Sequence, residues 1–287
     1  MKGKNQELAK ELMVGAWDLH THSSPSHFHR ALDDFQLLED AERWGMAGVM
    51  IKCHYEPTGA RAELANSKHP GFRARALGSL VLNYPVGGLN PYAIESALKM
   101  GACYVWMPTR DAWHCVKKGG MSGDFFQRPG IKIMNDKGAL LPVVYDIFDV
   151  IRKYNACLGT GHLSLEESIA LCRAGVQQGV RMVLTHPEWP HTIVPLGIQQ
   201  ELTQLGVWIE KDWVNIQEKT CTAEYMAHTL MELGPQKTYL VTDRGQANFE
   251  TPAEGLFLFL NAMLENGVPK SYLHDMVSKV PEEVIDH

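Results

Sequence analysis

Short apolar or β-branched runs recur along the chain, and most are followed by a longer polar stretch with helical periodicity. The runs are AWDLH (16–20), AGVMIKC (47–53), ARALGSLVL (74–82), ACYVWM (102–107), ACLGT (156–160), RMVLT (181–185), VWIEK (207–211) and TYLVT (238–242). Amphipathic segments such as LDDFQLLEDAERWG and SLEESIALCRAGVQQG stand between them. The second of these opens with Ser164 and Glu167, a capping box in which hydroxyl and carboxylate each satisfy a backbone N–H left unpaired at a helix start. Gly45, Gly101, Gly179, Gly206 and Gly234 stand where helices should stop before the next strand. Eight strand-then-helix units in one register predict a parallel sheet with helices outside it, closed as a (β/α)8 TIM barrel. No G-x-G-x-x-G follows the first strand, which counts against an open dinucleotide-binding sheet.

Two segments depart from the alternation. The N-terminus, MKGKNQELAKELMVG, reads as a polar amphipathic helix without the apolar centre of a signal peptide. Residues 108–142 form an insertion after the fourth strand, with a glycine-rich KKGGMSGD and a hairpin, IKIM-NDKG-ALLP, turning at Asn135 to Gly138. Such an insertion would lie over the barrel mouth as a lid, or decorate the surface. KKGGMSG lacks the Gly-Lys-Ser/Thr ending of a phosphate-binding loop. The expected organisation is one domain over residues 1–287.

Composition narrows the partners. With 45% hydrophobic and 21% charged residues, the chain is an ordinary soluble globular protein. A net charge of -6 offers no basic footprint for nucleic acid or an anionic membrane. No apolar run approaches the ~20 residues that span a bilayer. Cys53, Cys103, Cys115, Cys157, Cys172 and Cys221 form no CxxC pair and read as reduced core thiols of a cytoplasmic protein. A small molecule is the expected partner, and homo-oligomerisation is left open.

The candidate chemistry lies at the predicted strand ends, where a barrel of this kind keeps its active site. His20 and His22 end the first strand, two residues apart and so on one face, with a spacing that lets both bind one metal ion. Lys52 and His54 end the second, His162 follows the fifth, His186 the sixth and Asp243 the eighth. A lone histidine at a strand end is more often a packing residue, but five independent strands converging on one rim are not a chance pattern. His69, His228, His274 and His287 fall in helices or tails. His27, His29, His114 and His191 fall in loops on the site side.

This set resembles the amidohydrolase superfamily: His-x-His after strand one, single histidines after strands five and six, and an aspartate after strand eight. DLHTHSSPS with IKCHYEPT is also similar to a poorly characterised branch related to it and to the polymerase-and-histidinol-phosphatase enzymes. The resemblance implies that His20, His22 and Asp243 hold one divalent ion and His162 and His186 a second. Zinc is expected, with manganese or iron as alternatives. Relatives often bridge two metals with a carboxylated lysine after strand four, where this chain reads CYVWMP. Lys52 is the substitute bridge, or a plain lysine orienting an anionic substrate, and the number of ions stays open between one and two. Such an ion lowers the pKa of a bound water to about 7. Asp243 would then shuttle the proton, and His162 or His186 would stabilise the oxyanion if one ion is present.

The expected activity is metal-dependent hydrolysis of an amide, cyclic amide or lactone in a small organic substrate. Arg30, His54, Tyr55 and Arg244 are the candidate substrate-binding residues, with the arginines suited to a carboxylate. Arg61 reads as a surface ion-pair residue. Trp106, Trp113, Trp189 and Trp213 could wall an aromatic pocket. Three alternatives remain: a phosphoesterase that would use His54, although strand three ends VLNYP without a carboxylate; a decarboxylase or hydratase on the same barrel; and a non-catalytic metal-supported barrel.

Overall fold

The computed structural model describes residues 2–119 and 128–286. Eight strands pair in chain order, all parallel: β1 (Trp17–Thr21), β2 (Gly48–Ile51), β3 (Arg75–Val81), β4 (Ala102–Trp106), β5 (Cys157–Gly159), β6 (Arg181–Leu184), β7 (Trp208–Asp212) and β8 (Thr238–Val241). The seam between β8 and β1 closes just beyond the strands. Thr21 bridges Arg244, Asp243 N donates to His20 O at 2.9 Å, and His22 N donates to Arg244 O at 2.7 Å. The result is the (β/α)8 barrel expected from the alternation.

The helices are α1 (Lys2–Met13), α2 (Asp34–Arg43), α3 (Gly59–Lys68), α4 (Pro91–Lys99), α5 (Trp113–Lys118), α6 (Pro142–Lys153), α7 (Leu165–Gln177), α8 (Leu196–Gln204), α9 (Trp213–Gln217), α10 (Ala223–Leu233), α11 (Pro252–Glu265), α12 (Lys270–His274) and α13 (Val280–Ile285). The Ser164–Glu167 capping box forms as expected, with Glu167 N donating to Ser164 Oγ at 3.2 Å and Ser164 N to Glu167 Oε2 at 3.0 Å. A second one, Asp33 with Gln36, opens α2.

Apolar packing falls into an inner and an outer layer. Outside the sheet, Val49 and Ile51 of β2 face a cluster with Leu37, Leu256 and Phe259. Inside it, Leu19, Met50, Val81, Tyr104, Val183 and Trp208 pack together with Val280 and Val284. The last two belong to α13, so the chain's final helix plugs the end of the barrel opposite the site. The hydrophobic pattern did not single out this plug. All six cysteines are buried and free of disulfides. No helix among the described residues is long and apolar enough to cross a membrane.

Of the insertion, residues 120–127 lie outside the described residues, and with them most of KKGGMSGD. Its described flanks form α5 and the expected turn, in which Gly138 N donates to Asn135 O at 3.0 Å and Met134 bridges Leu140. They dock on the loop after β6: His114 Nε2 donates to His191 O at 2.7 Å, and His191 Nε2 to Gly119 O at 2.8 Å.

Candidate metal centre

The site begins with an irregularity in β1. The pairing with β2 shifts between Asp18 and Thr21, a bulge that lets consecutive residues share one face. Leu19 therefore belongs to the inner apolar cluster while His20 packs 5.5 Å from Trp106 of the same cluster. Asp18 does not enter the cavity. Its Oδ1 accepts from His20 N at 3.2 Å and Thr242 N at 3.1 Å, and its Oδ2 accepts from Thr242 Oγ1 at 2.5 Å. It joins the ends of β1 and β8 so that His20, His22 and Asp243 meet. Burial pushes the Asp18 carboxyl up to about 7, against the opposing pull of these hydrogen bonds.

Two backbone features sharpen the rim. Non-glycine residues with positive φ are uncommon, and both His186 (31°) and Asp243 (52°) have it at the ends of β6 and β8. A glycine is required next to one of them. A β-carbon at Gly245 would lie 1.9 Å from His22 O, so only glycine lets the loop after β8 close on β1.

Five imidazoles form a closed ring about the mouth. Ring centroids are 5.6 Å apart for His20 and His22, 5.1 Å for His22 and His54, 6.2 Å for His54 and His162, 5.0 Å for His162 and His186, and 6.1 Å for His186 and His20. Asp243 Oδ1 lies 3.1 Å from His20 Nε2 and 2.9 Å from His22 Nε2. Lys52 Nζ lies 2.7 Å from His20 Nε2, over the Trp106 ring at 4.8 Å.

The hydrogen bonds determine which ring nitrogens carry protons. His22 Nδ1 donates to the Lys52 carbonyl at 2.8 Å, which can only accept. Thr192 Oγ1 spends its proton on His186 O at 2.8 Å, so His186 Nδ1 donates to that hydroxyl at 2.9 Å. His20 Nδ1 donates to Glu210 Oε1 at 2.9 Å, and Tyr239 O–H donates to Glu210 Oε2 at 3.1 Å. In the neutral state all three histidines thus keep a lone pair on Nε2. The partners on the far nitrogens orient the rings, as outer groups do around metal ligands.

The donor set fits a cation. His20 Nε2, His22 Nε2 and Asp243 Oδ1 gather within 4.8 Å of one another, presenting two lone pairs and a carboxylate oxygen to one point. Lys52 Nζ is the donor facing them. Burial pushes His22 and His186 down to about 3 and holds His54 and His162 well below the usual imidazole range, so all four are neutral. His20 moves the other way. Its burial opposes protonation, but Asp243 and Glu210 outweigh it and raise the group. Asp243, despite burial, is held well below the carboxylate range, chiefly by His20. Burial lowers Lys52 toward the neutral amine. A buried point where imidazole prefers its charged form is one that stabilises positive charge.

Above the ring lies a cavity of about 410 Å³. His22, Lys52, His54, His162, His186 and Asp243 line it, as does Arg30, and His20 sits fully buried beneath them. Other sequence candidates are placed elsewhere. Arg244 is fully buried, donates from Nε to Glu250 Oε1 at 3.1 Å and lies behind Phe249 rather than in the cavity wall. Tyr55 stacks on His27 at 3.7 Å and is absent from the lining. Of the four tryptophans only Trp189 faces the cavity. Trp106 is inner core, Trp213 packs on Phe259, and Trp113 lies under Lys117 and Lys132. Arg61 pairs with Asp34 and Glu56, each at 2.7 Å, as expected.

The sequence reading placed β7 but missed its acidic residues. Glu210 and Asp212 are fully buried beside His20 and form with it a second cluster of metal-binding type. Burial and the neighbouring Glu210 push Asp212 well above the carboxylate range. The signal was present as three consecutive charged residues, Glu210, Lys211 and Asp212, in a strand that begins with Trp208 and Ile209. Arg110 and Glu218, both in the cavity wall, were also missed.

Comparison with known proteins places this geometry. The profile of a family of unknown function, DUF6282, matches residues 15–210, more than half of the chain. The chain belongs to this family. The match covers every site histidine and Glu210 but ends before β8 and Asp243. No curated protein matches the DUF6282 chain in sequence. Among solved structures, it is similar to an amidohydrolase from Pseudomonas aeruginosa, with a TM-score of 0.64 and 10% identity over 98% of each chain. A TatD homologue from Escherichia coli K12 gives a TM-score of 0.58 at 11% identity, covering 96% of this chain and 99% of that one. Organophosphorus hydrolase from Deinococcus radiodurans gives 0.56 at 12%, over 96% and 93%. The DUF6282 chain therefore has the barrel of the amidohydrolases.

Proposed function

We propose that this DUF6282 protein is a metal-dependent hydrolase that cleaves an amide, cyclic amide or lactone bond of a small organic molecule. The observation that supports it is the convergence of His20 Nε2, His22 Nε2 and Asp243 Oδ1, with both ring tautomers set by partners behind them. These three residues would hold the first ion, and imidazole with carboxylate suits zinc, with manganese or iron as alternatives. When bound, such an ion supplies Lewis acidity and a water whose pKa falls to about 7.

The chain's own groups complete the chemistry. Asp243 meets both imidazoles through Oδ1, and its side chain is 23% exposed, which leaves Oδ2 to take up a proton and return it to the leaving group. Thr192 fixes the His186 proton on Nδ1, so His186 suits a ligand role and oxyanion stabilisation falls to His162. In a two-ion centre, His162 and His186 would hold the second ion. The Lys52 amine, combined with carbon dioxide and relieved of one proton, would be the anionic bridge. A second reading, phosphoester hydrolysis, draws on His54, which joins the imidazole ring. Asn83 at the end of β3 counts against it, since its side chain is spent on His54 O and Thr109.

Elemental analysis of the purified protein, paired with nitrophenyl ester and nitrophenyl phosphate assays, tests both readings. One or two ions per chain with ester turnover is the expected result, and product analysis separates hydrolysis from a lyase reaction. His20→Ala should lose all metal. Lys52→Ala should lose half if the lysine bridges and none if it serves the substrate. Full turnover of the metal-free protein would overturn the proposal.

A further inference from the structure

Arg30 differs from the other arginines near the site. Arg61 and Arg244 are each committed to carboxylates, Asp34 with Glu56 and Glu250 respectively. Arg30, partly buried in the loop after β1, makes no ion pair among the described residues. Its side-chain hydrogen bond runs from Nε to Ser26 Oγ at 3.3 Å. The guanidinium carbon lies 5.7 Å from the centroid of Phe28, and that of Arg110, from the loop after β4, lies 4.3 Å from the same ring. Both arginines and Phe28 line the cavity above the imidazole ring.

A guanidinium cannot shed its charge, and holding that of Arg30 partly out of water costs free energy unless an anion joins it. Asp243 is the protein charge that most favours the Arg30 guanidinium, yet the two form no ion pair among the described residues. Asp243 turns its Oδ1 to His20 and His22, and the other lining carboxylate, Glu218, forms no ion pair among the described residues. A guanidinium fork matches a carboxylate with two parallel N–H···O bonds. Phe28, Trp189 and Phe249 supply flat apolar walls that suit an organic body over an inorganic oxyanion.

We infer that the ligand of this cavity is a small organic carboxylate, its carboxylate held between Arg30 and Arg110 over Phe28 and its reactive bond turned toward Asp243. The second half rests on the hydrolase reading, whereas the anion site stands without it. Benzoate, benzamide and inorganic phosphate, titrated calorimetrically into the protein as purified and after chelation, test the inference. Benzoate should bind about ten-fold or more tightly than benzamide in both metal states, and Arg30→Met and Arg110→Met should each weaken it by about ten-fold or more. Arg30→Lys, which keeps the charge and loses the fork, should fall between. Equal benzoate binding by parent and Arg30→Met, or phosphate bound more tightly than benzoate, would overturn it. Because the chelated protein is read as well, failure of the anion site and failure of the metal centre give different results.

Discussion

Two ends of the same barrel interior can be set side by side. Toward α13 it is filled by Leu19, Met50, Val183 and Trp208, and stoppered by Val280 and Val284. Toward the loops it holds His20, Lys52, Glu210, Asp212 and Asp243, with two residues at strained positive φ. Both ends are buried, but they put burial to different use. Apolar side chains at the closed end gain from leaving water, roughly 25 cal/mol per Å². The ionisable groups of the open end lose hydration, and the loss appears as displaced pKa values: His186 down to about 3, Asp212 up. Stability belongs to the closed end, and the open end draws on it to hold groups in states that water would not allow.

That contrast can be broken from either side. The largest effect is expected for Asp243→Ala, which removes the carboxylate that two imidazoles face. Metal should be lost, and turnover should fall by about three orders of magnitude, the several kcal/mol that metal-ion charge stabilisation supplies. The fold should persist by circular dichroism, and a variant that unfolds would show that the rim also carries stability. Next comes Met50→Ala at the closed end, expected to cost about 2–5 kcal/mol in denaturant titration. Metal stoichiometry of the folded protein should stay unchanged, and metal loss in proportion to stability would dissolve the distinction. The smallest expected effect is that of Glu210→Gln, which keeps an acceptor for His20 Nδ1 but removes its charge. Metal affinity should weaken by about 10- to 100-fold with little change in melting temperature. An unchanged affinity would make Glu210 a packing residue.

The rim residues differed in how legible they were. His20, His22, His162, His186 and Asp243 could be named because each stands at the end of, or just past, a run that reads as a strand, and a barrel delivers those positions to one rim. Glu210 could not, because VWIEKD carries charges as a solvated strand would, and its partner His20 is 190 residues away. The arginines show the same limit. Arg30 and Arg244 both follow a site strand, yet one faces the cavity and the other turns away to Glu250. Loop sequence contains no periodicity from which that direction could be read.

The alternation of runs by itself determined eight units, their order, their parallel pairing and the rim to which the histidines belong, since these follow from local patterns with periods of 2 and 3.6 residues. Only the tertiary structure decided the bulge in β1 that turns Leu19 and His20 to one side. The same holds for the tautomers set by Thr192, Lys52 O and Glu210, and for the α13 plug. Each of these depends on a contact between segments distant in the chain, where hydrogen-bond partners and burial are fixed by how the barrel closes.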